Sequence, residues 1–219
     1  MNSNPQDGTS VKKYGLALHT ASRELGLAIS NFAGDSRCQT WNLDRGLATH
    51  LHQYLVEFIG SQTWADLAFI AVAKGPGGFT GTRMGMVTAR TLAQQLDIPV
   101  FAVSTLAAVA CSSSKKSISN QDIALQMPAQ RGQLFGAVYS VNKDSGLTEL
   151  FPDTVMTPES WQEKLDNWGN SYQLIEVGSE LGGSVSSVLK LAYLEWKQGS
   201  RPDWSDALPF YGQHPVKGH

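Results

Sequence analysis

The sequence predicts a two-lobed α/β chain, and three observations carry that prediction. Apolar runs at Tyr14 to His19 and Leu25 to Ser30, joined only by TASRE, lead into Arg37 to Leu43 and read as a β-meander. Helical and strand-like spacing then alternates, helix–strand–helix–strand, as far as Ala110. The polar stretch Cys111 to Gln121 (CSSSKKSISNQ) separates these from a second, smaller run of strands and helices. The expected division is an N-terminal lobe over 13–110, a smaller lobe over 111–219 and a disordered tail over 1–12.

Leu47 to Ile59 places Leu47, Leu51, Tyr54, Leu55 and Phe58 at helical spacing, with Gly60 as the C-cap. Phe69 to Ala73 is a short apolar run of the kind a covered strand needs. Gly75, Pro76, Gly77 and Gly78 end it, because proline lacks an amide donor and glycine admits positive φ. A helix follows from Gly81 to Leu96, then a strand at Pro99 to Val103 and a helix from Thr105 to Ala110 capped by Ser104. In the second lobe, Ile123 to Met127, Leu134 to Val141 and Leu147 to Phe151 read as strands, with a turn at 142–146. Thr157-Pro158-Glu159 opens a helix to about Trp168, since a hydroxyl cap, an early proline and an acid all suit a helix start. Leu174 to Val177 is a strand, Val185 to Trp196 a helix, and the proline-bearing tail from Pro202 an extended segment along an existing surface.

The stretch around which the chain is organised is FIAVAKGPGGFTGTRMGMVTARTLAQQL, Phe69 to Leu96. Gly81, Gly85, Ala89 and Ala93 recur every fourth residue, leaving one helix edge almost bare. Glycine inside a helix costs about 1 kcal/mol relative to alanine, so a close neighbour must offset it. The expectation is that this stripe docks another subunit, and that Gly85→Leu would abolish pairing without disturbing the fold.

The net charge of −2 and the absence of a basic run argue against a free-standing nucleic-acid binder. Two cysteines without CxxC spacing fit a reducing compartment and argue against a disulfide framework or zinc site. No apolar h-region or spanning-length run is visible, so a cytoplasmic protein with no membrane contact is expected.

Several residues invite a chemical role. The turn Gly75, Pro76, Gly77, Gly78, Phe79, Thr80 and Gly81 lacks the Lys-Ser/Thr of a phosphate loop and the third glycine of a dinucleotide loop, so a structural strand-to-helix turn is favoured. His19 ends the first strand, where many ATPases place a metal-binding carboxylate; imidazole is a poor magnesium ligand, and a packed histidine is the better reading. His50 and His52, two apart on a helix, cannot share a metal. Ser104 and Cys111 show no partner for nucleophilic catalysis. Arg83, Arg90 and Arg131, with Lys115 and Lys116, read as surface cations. Tyr54, Met84 and Met86 exceed what a core stripe needs; they suit either core filling, the commoner use, or an adaptable interface.

The run from Gly75 to Gly85, GPGGFTGTRMG, resembles the GPGSFTGLRIG motif of the TsaB (YeaZ) family, partner subunits in threonylcarbamoyladenosine modification of tRNA. ARTLA at Ala89 to Ala93, Ile98-Pro99-Val100 with Val103-Ser104-Thr105-Leu106, Leu16 to Thr20, Arg131 to Tyr139 and Pro209-Phe210-Tyr211 are similar to further family segments in the same order. The resemblance implies an actin/Hsp70-like (ASKHA) fold and a non-catalytic scaffold that binds a TsaD-like subunit, with a TsaE-like ATPase joining the pair, tRNA contacted indirectly and no cofactor. It also implies docking through the two N-lobe helices, to the partner or to a second copy. The contact residues are then Leu51, Tyr54, Leu55, Phe58, Gly81, Arg83, Gly85, Met86, Ala89, Arg90 and Ala93. His19, Leu51-His52, Pro128 and Gln130 depart from the family pattern and argue against a nucleotide or metal role. The competing reading is an ATP-dependent small-molecule kinase of the same superfold.

Overall fold

In the computed structural model, which describes residues 13–113, 121–142 and 146–212, the strands form two mixed sheets. The expected tail over 1–12, Lys115 and Lys116 with most of the polar linker, and the turn residues 143–145 lie outside the described residues.

The first sheet begins with the meander β1 (Tyr14–His19), β2 (Glu24–Ser30) and β3 (Ser36–Asn42). Helix α1 (Leu47–Ile59) leads to β4 (Leu67–Ala73), and α2 (Phe79–Leu96) to β5 (Val100–Val103). The order is β3-β2-β1-β4-β5, with β2 antiparallel to both neighbours and β4 parallel to β1 and β5. After α3 (Thr105–Ser113) the pattern repeats: a meander β6 (Asp122–Pro128), β7 (Leu134–Asn142) and β8 (Gly146–Met156), a helix α4 (Pro158–Asp166), and β9 (Tyr172–Glu176) parallel to β6. Its order is β8-β7-β6-β9, and α5 (Val185–Lys197) is the last α-helix among the described residues. The chain is an α/β fold of two mixed sheets with flanking helices, as the expected class requires.

Both faces of each sheet are covered, which explains why β1, β2 and β4 are apolar without alternation. On β1, Leu16 and Leu18 face the α1 and α2 side, packing with Leu51, Leu55, Ile70 and Met86, while Ala17 faces α5 beside Phe69, Val185 and Val188. The second sheet packs one face on Leu106 and Ala110 of α3 and the other on Trp161 and Leu165 of α4. Helices α3 and α5 touch one another and lie between the two sheets. Helix α3 comes from the first half of the chain yet covers the second sheet, and α5 comes from the second half yet covers the first.

Element boundaries differ from expectation for local reasons. Helix α2 starts at Phe79, two residues early, because Gly78 is the last extended residue. Strand β8 continues through Pro152, which an edge strand accommodates because one side of its backbone needs no partner. The described part of the proline-bearing tail packs as an extended strap: Phe210 N donates to Lys74 O at 2.7 Å, and the Tyr211 ring lies 4.9 Å from that of Phe79. A cation seals α1 at its C-terminus. The Arg37 guanidinium donates to Phe58 O at 3.1 Å, to Ile59 O at 2.5 Å and to the Gln62 side chain.

The bare edge of α2 lies against the end of β1. A Cβ at Gly81 would collide with Thr20 O, and one at Gly85 with Thr20 Oγ1. Gly85→Ala is therefore expected to destabilise the monomer by about 2 kcal/mol, the range of overpacking. Urea unfolding checks this, and a variant as stable as the parent would show that the seam can relax.

Candidate functional site

The structure turns the glycine-alanine stripe inward. Thr20 Oγ1 donates to Gly81 O at 2.8 Å, Gly85 is buried beside it, and Ala89 and Ala93 have no exposed surface. Leu51, Leu55 and Phe58 of α1 and Met86 of α2 belong to the same core cluster. The expectation that these residues contact a partner is corrected here: the close neighbour that the small residues admit is the chain's own β1–β2 turn. The expected behaviour of Gly85→Leu is corrected with it, since any side chain there strikes Thr20.

Of the expected contact residues, Arg83 is exposed and Gly81, Tyr54 and Arg90 are half-buried. Arg83 stacks over the Phe79 ring, Arg90 over Trp204, and Tyr54 packs on Trp41. Sequence reasoning passed over the most exposed apolar residues of the two helices: Val56 on α1 is 63% exposed and Val87 on α2 is 61%. Val87 lies about 200° around the helix from Gly85, on the opposite face. Both were legible in the sequence as apolar residues off the core stripes of their helices.

The glycine loop has a structural role of its own. Gly75 takes φ +100, and its peptide to Pro76 is cis. A Cβ at Gly77 would strike Ala21 O, and Gly78 N donates to that same oxygen at 2.7 Å. Phe79 rests on Tyr211, and Thr80 is exposed at the first turn of α2.

Between the β1–β2 turn, this loop and the ends of β6 and β9 lies a cleft of about 630 Å³. The superfold implies magnesium and a nucleotide at such a place, and the residues do not fit them. The Thr20 hydroxyl and the Gly78 amide are committed to Gly81 O and Ala21 O. His19 stands where a carboxylate would, wholly buried, with neither ring nitrogen hydrogen-bonded, and it does not line the cleft. Burial pushes its pKa down to about 4, so the ring is neutral. Among the described residues no cluster of three His, Cys, Asp or Glu side chains could hold a metal ion.

Ser104 has a partner after all. Its hydroxyl donates to Asp153 Oδ2 at 2.6 Å and accepts from Ala107 N at 3.1 Å, while Tyr139 OH donates to Asp153 Oδ1 at 3.0 Å. With its proton aimed at a carboxylate and its oxygen capping α3, Ser104 ties that helix to the second sheet. Burial raises the Asp153 carboxyl, against the two hydroxyl donors and nearby Lys74. Burial likewise raises the Tyr139 phenol, ahead of the Asp153 charge. His50 and His52 are exposed, Arg131 sits exposed in a left-handed turn at φ +59, and Cys111 is buried.

Comparison with known proteins agrees with this architecture. Residues 51–180 match the family model described as TsaD, tRNA N6-adenosine threonylcarbamoyltransferase. The chain is 38% identical over 148 residues to the tRNA threonylcarbamoyladenosine biosynthesis protein TsaB of Buchnera aphidicola subsp. Schizaphis graminum, covering 68% of each chain. It is 31% identical over 136 residues to the protein of that name from Buchnera aphidicola subsp. Acyrthosiphon pisum, covering 61% of each. The chain thus spans less than two thirds of the length of the first curated relatives it matches. YeaZ from Pseudomonas aeruginosa superposes with a TM-score of 0.73 at 20% identity, over 90% of this chain and all of that one.

A pH dependence follows from His19. The unfolded ring titrates near 6.5 and the folded ring near 4, so the unfolded chain binds the extra proton between these values. The stability this supplies is complete above about pH 6.5 and lost as pH falls toward 4, about 3 kcal/mol in all. Relative to the parent, His19→Leu should therefore gain roughly 2 to 3 kcal/mol between about pH 7 and pH 4.5 in chemical denaturation. Parallel curves would show that water or relaxation solvates the ring.

Proposed function

Because the chain belongs to the TsaB (YeaZ) family, we propose that it serves threonylcarbamoyladenosine biosynthesis on tRNA as a non-catalytic partner subunit. It docks a TsaD-like transferase on the outward faces of α1 and α2, and a TsaE-like ATPase joins the pair. The observation that carries this reading is the pair of exposed valines, Val56 and Val87, on two helices packed side by side on one sheet face. Their inward faces are filled by the chain's own core, so this outer apolar surface is available to a partner. Arg83 flanks Val87 one turn away and supplies a polar rim. A second copy of the chain would compete for the same surface.

A scaffold role also accords with the cleft, where the hydroxyl and amide that could meet a phosphate are bonded within the chain. The net charge of −2 supports tRNA contact through the partner rather than directly. The kinase reading has no comparable support, since His19 offers neither a carboxylate nor access.

Introducing charge into the apolar centre of an interface typically costs several kcal/mol. Val56→Glu combined with Val87→Glu is therefore expected to lower recovery of a co-expressed TsaD-like subunit by about tenfold or more. The thermal midpoint should stay within about 2 °C of the parent, because both residues are on the surface. Undiminished pairing would place the docking face elsewhere.

A further inference from the structure

The cleft between the sheets has no part in the docking just described, and its chemistry is distinctive. Its floor is apolar: Leu47 and Met84 come from the first sheet's helices, Met127 from β6, and Val177 and Leu181 from the segment after β9. The two methionines therefore come from elements packed on different sheets, and unbranched thioethers adapt to varied apolar shapes. A volume of about 630 Å³ lies within the range of sites that enclose a ligand group.

Charge is confined to one rim. Arg23 and Asp44 approach to 3.6 Å with both side chains largely exposed, so they offset one another. Arg45, also on the rim and exposed, makes no hydrogen bond or ion pair among the described residues. An apolar floor beside a free guanidinium selects an apolar group with a carboxylate next to it.

We infer that the cleft seats an acidic segment of a partner protein, with one leucine-sized or phenylalanine-sized side chain on the floor and a neighbouring aspartate or glutamate on Arg45. The cleft opens beside Leu47 and Ala48 at the start of α1 and beside Thr80 and Gly81 at the start of α2. A protein lying on the α1 and α2 face therefore already stands at its edge, and in naming that protein as the source the inference rests on the docking reading. It gives the complex a second contact, one that bridges the two sheets.

Methyl-labelled methionine makes the cleft visible to NMR. Met84 and Met127 line it, while Met86 in the core and Met156 against α4 serve as internal controls. The probes are a short peptide with one leucine and one phenylalanine among aspartates, the same peptide with lysines in their place, Mg-ATP, and a TsaD-like subunit. The acidic peptide is expected to shift Met84 and Met127 saturably with the controls fixed, and Arg45→Glu to weaken that binding about tenfold. The TsaD-like subunit is expected to shift Met127, which lies off the α1 and α2 face. An equal response to the lysine peptide, a response to Mg-ATP alone, or none to the acidic peptide at about 1 mM would overturn the inference. So would a subunit that binds while leaving Met127 unmoved, and docking through the valines would then stand alone. If the subunit still binds the Val56→Glu, Val87→Glu chain and shifts Met127, the valine face is refuted and the cleft upheld.

Discussion

The fold turns on one seam, where the end of β1 and its turn press against the start of α2. Thr20 donates to Gly81 O and Gly78 donates to Ala21 O, so two backbones approach more closely than side chains would allow. Each hydrogen bond contributes only about 1 kcal/mol net. The steric condition is stricter, because a Cβ at Gly77, Gly81 or Gly85 would meet the turn's own atoms. The seam fixes the rotation of α2 about its axis, and that rotation decides that Met86, Ala89 and Ala93 enter the core while Val87 and Arg83 face outward.

The same seam shapes the cleft. In a phosphate-binding turn the hydroxyls and amides point at the ligand; here the Thr20 hydroxyl and the Gly78 amide instead donate to carbonyl oxygens across the seam. His19, neutral and enclosed, lies behind the cleft rather than in its lining and provides no metal ligand there. What remains open is an apolar hollow with a cationic rim, a surface for recognising a shape and a charge.

Much of this was legible in the sequence, and the rest was not for definite reasons. The spacing of Leu51, Leu55 and Phe58 located the buried stripe of α1, and the run from Phe69 to Ala73 located a covered strand. The bare edge of α2 was legible as a place of close approach, but its neighbour was not. A strand turn 61 positions earlier and a partner's helix make the same demand for small residues. The Ser104–Asp153 bond and the Arg37 clamp on α1 join residues far apart in sequence, and no local pattern announces either. Val56 and Val87 were visible as apolar residues off the stripe; that they are exposed could be read only once the inward face was assigned.

The exchange of helices α3 and α5 between the two sheets bears on how the chain is made. As it leaves the ribosome, all five strands of the first sheet emerge well before residue 185, yet the face carrying Ala17, Ala71 and Phe101 has only Ala108 of α3 beside it until Val185, Val188, Leu189 and Ala192 of α5 arrive. Through most of synthesis this nascent sheet presents a largely uncovered apolar side, the kind of surface that holding chaperones bind. The apolar face of the first sheet is thus completed by a helix from the far side of the second sheet in sequence.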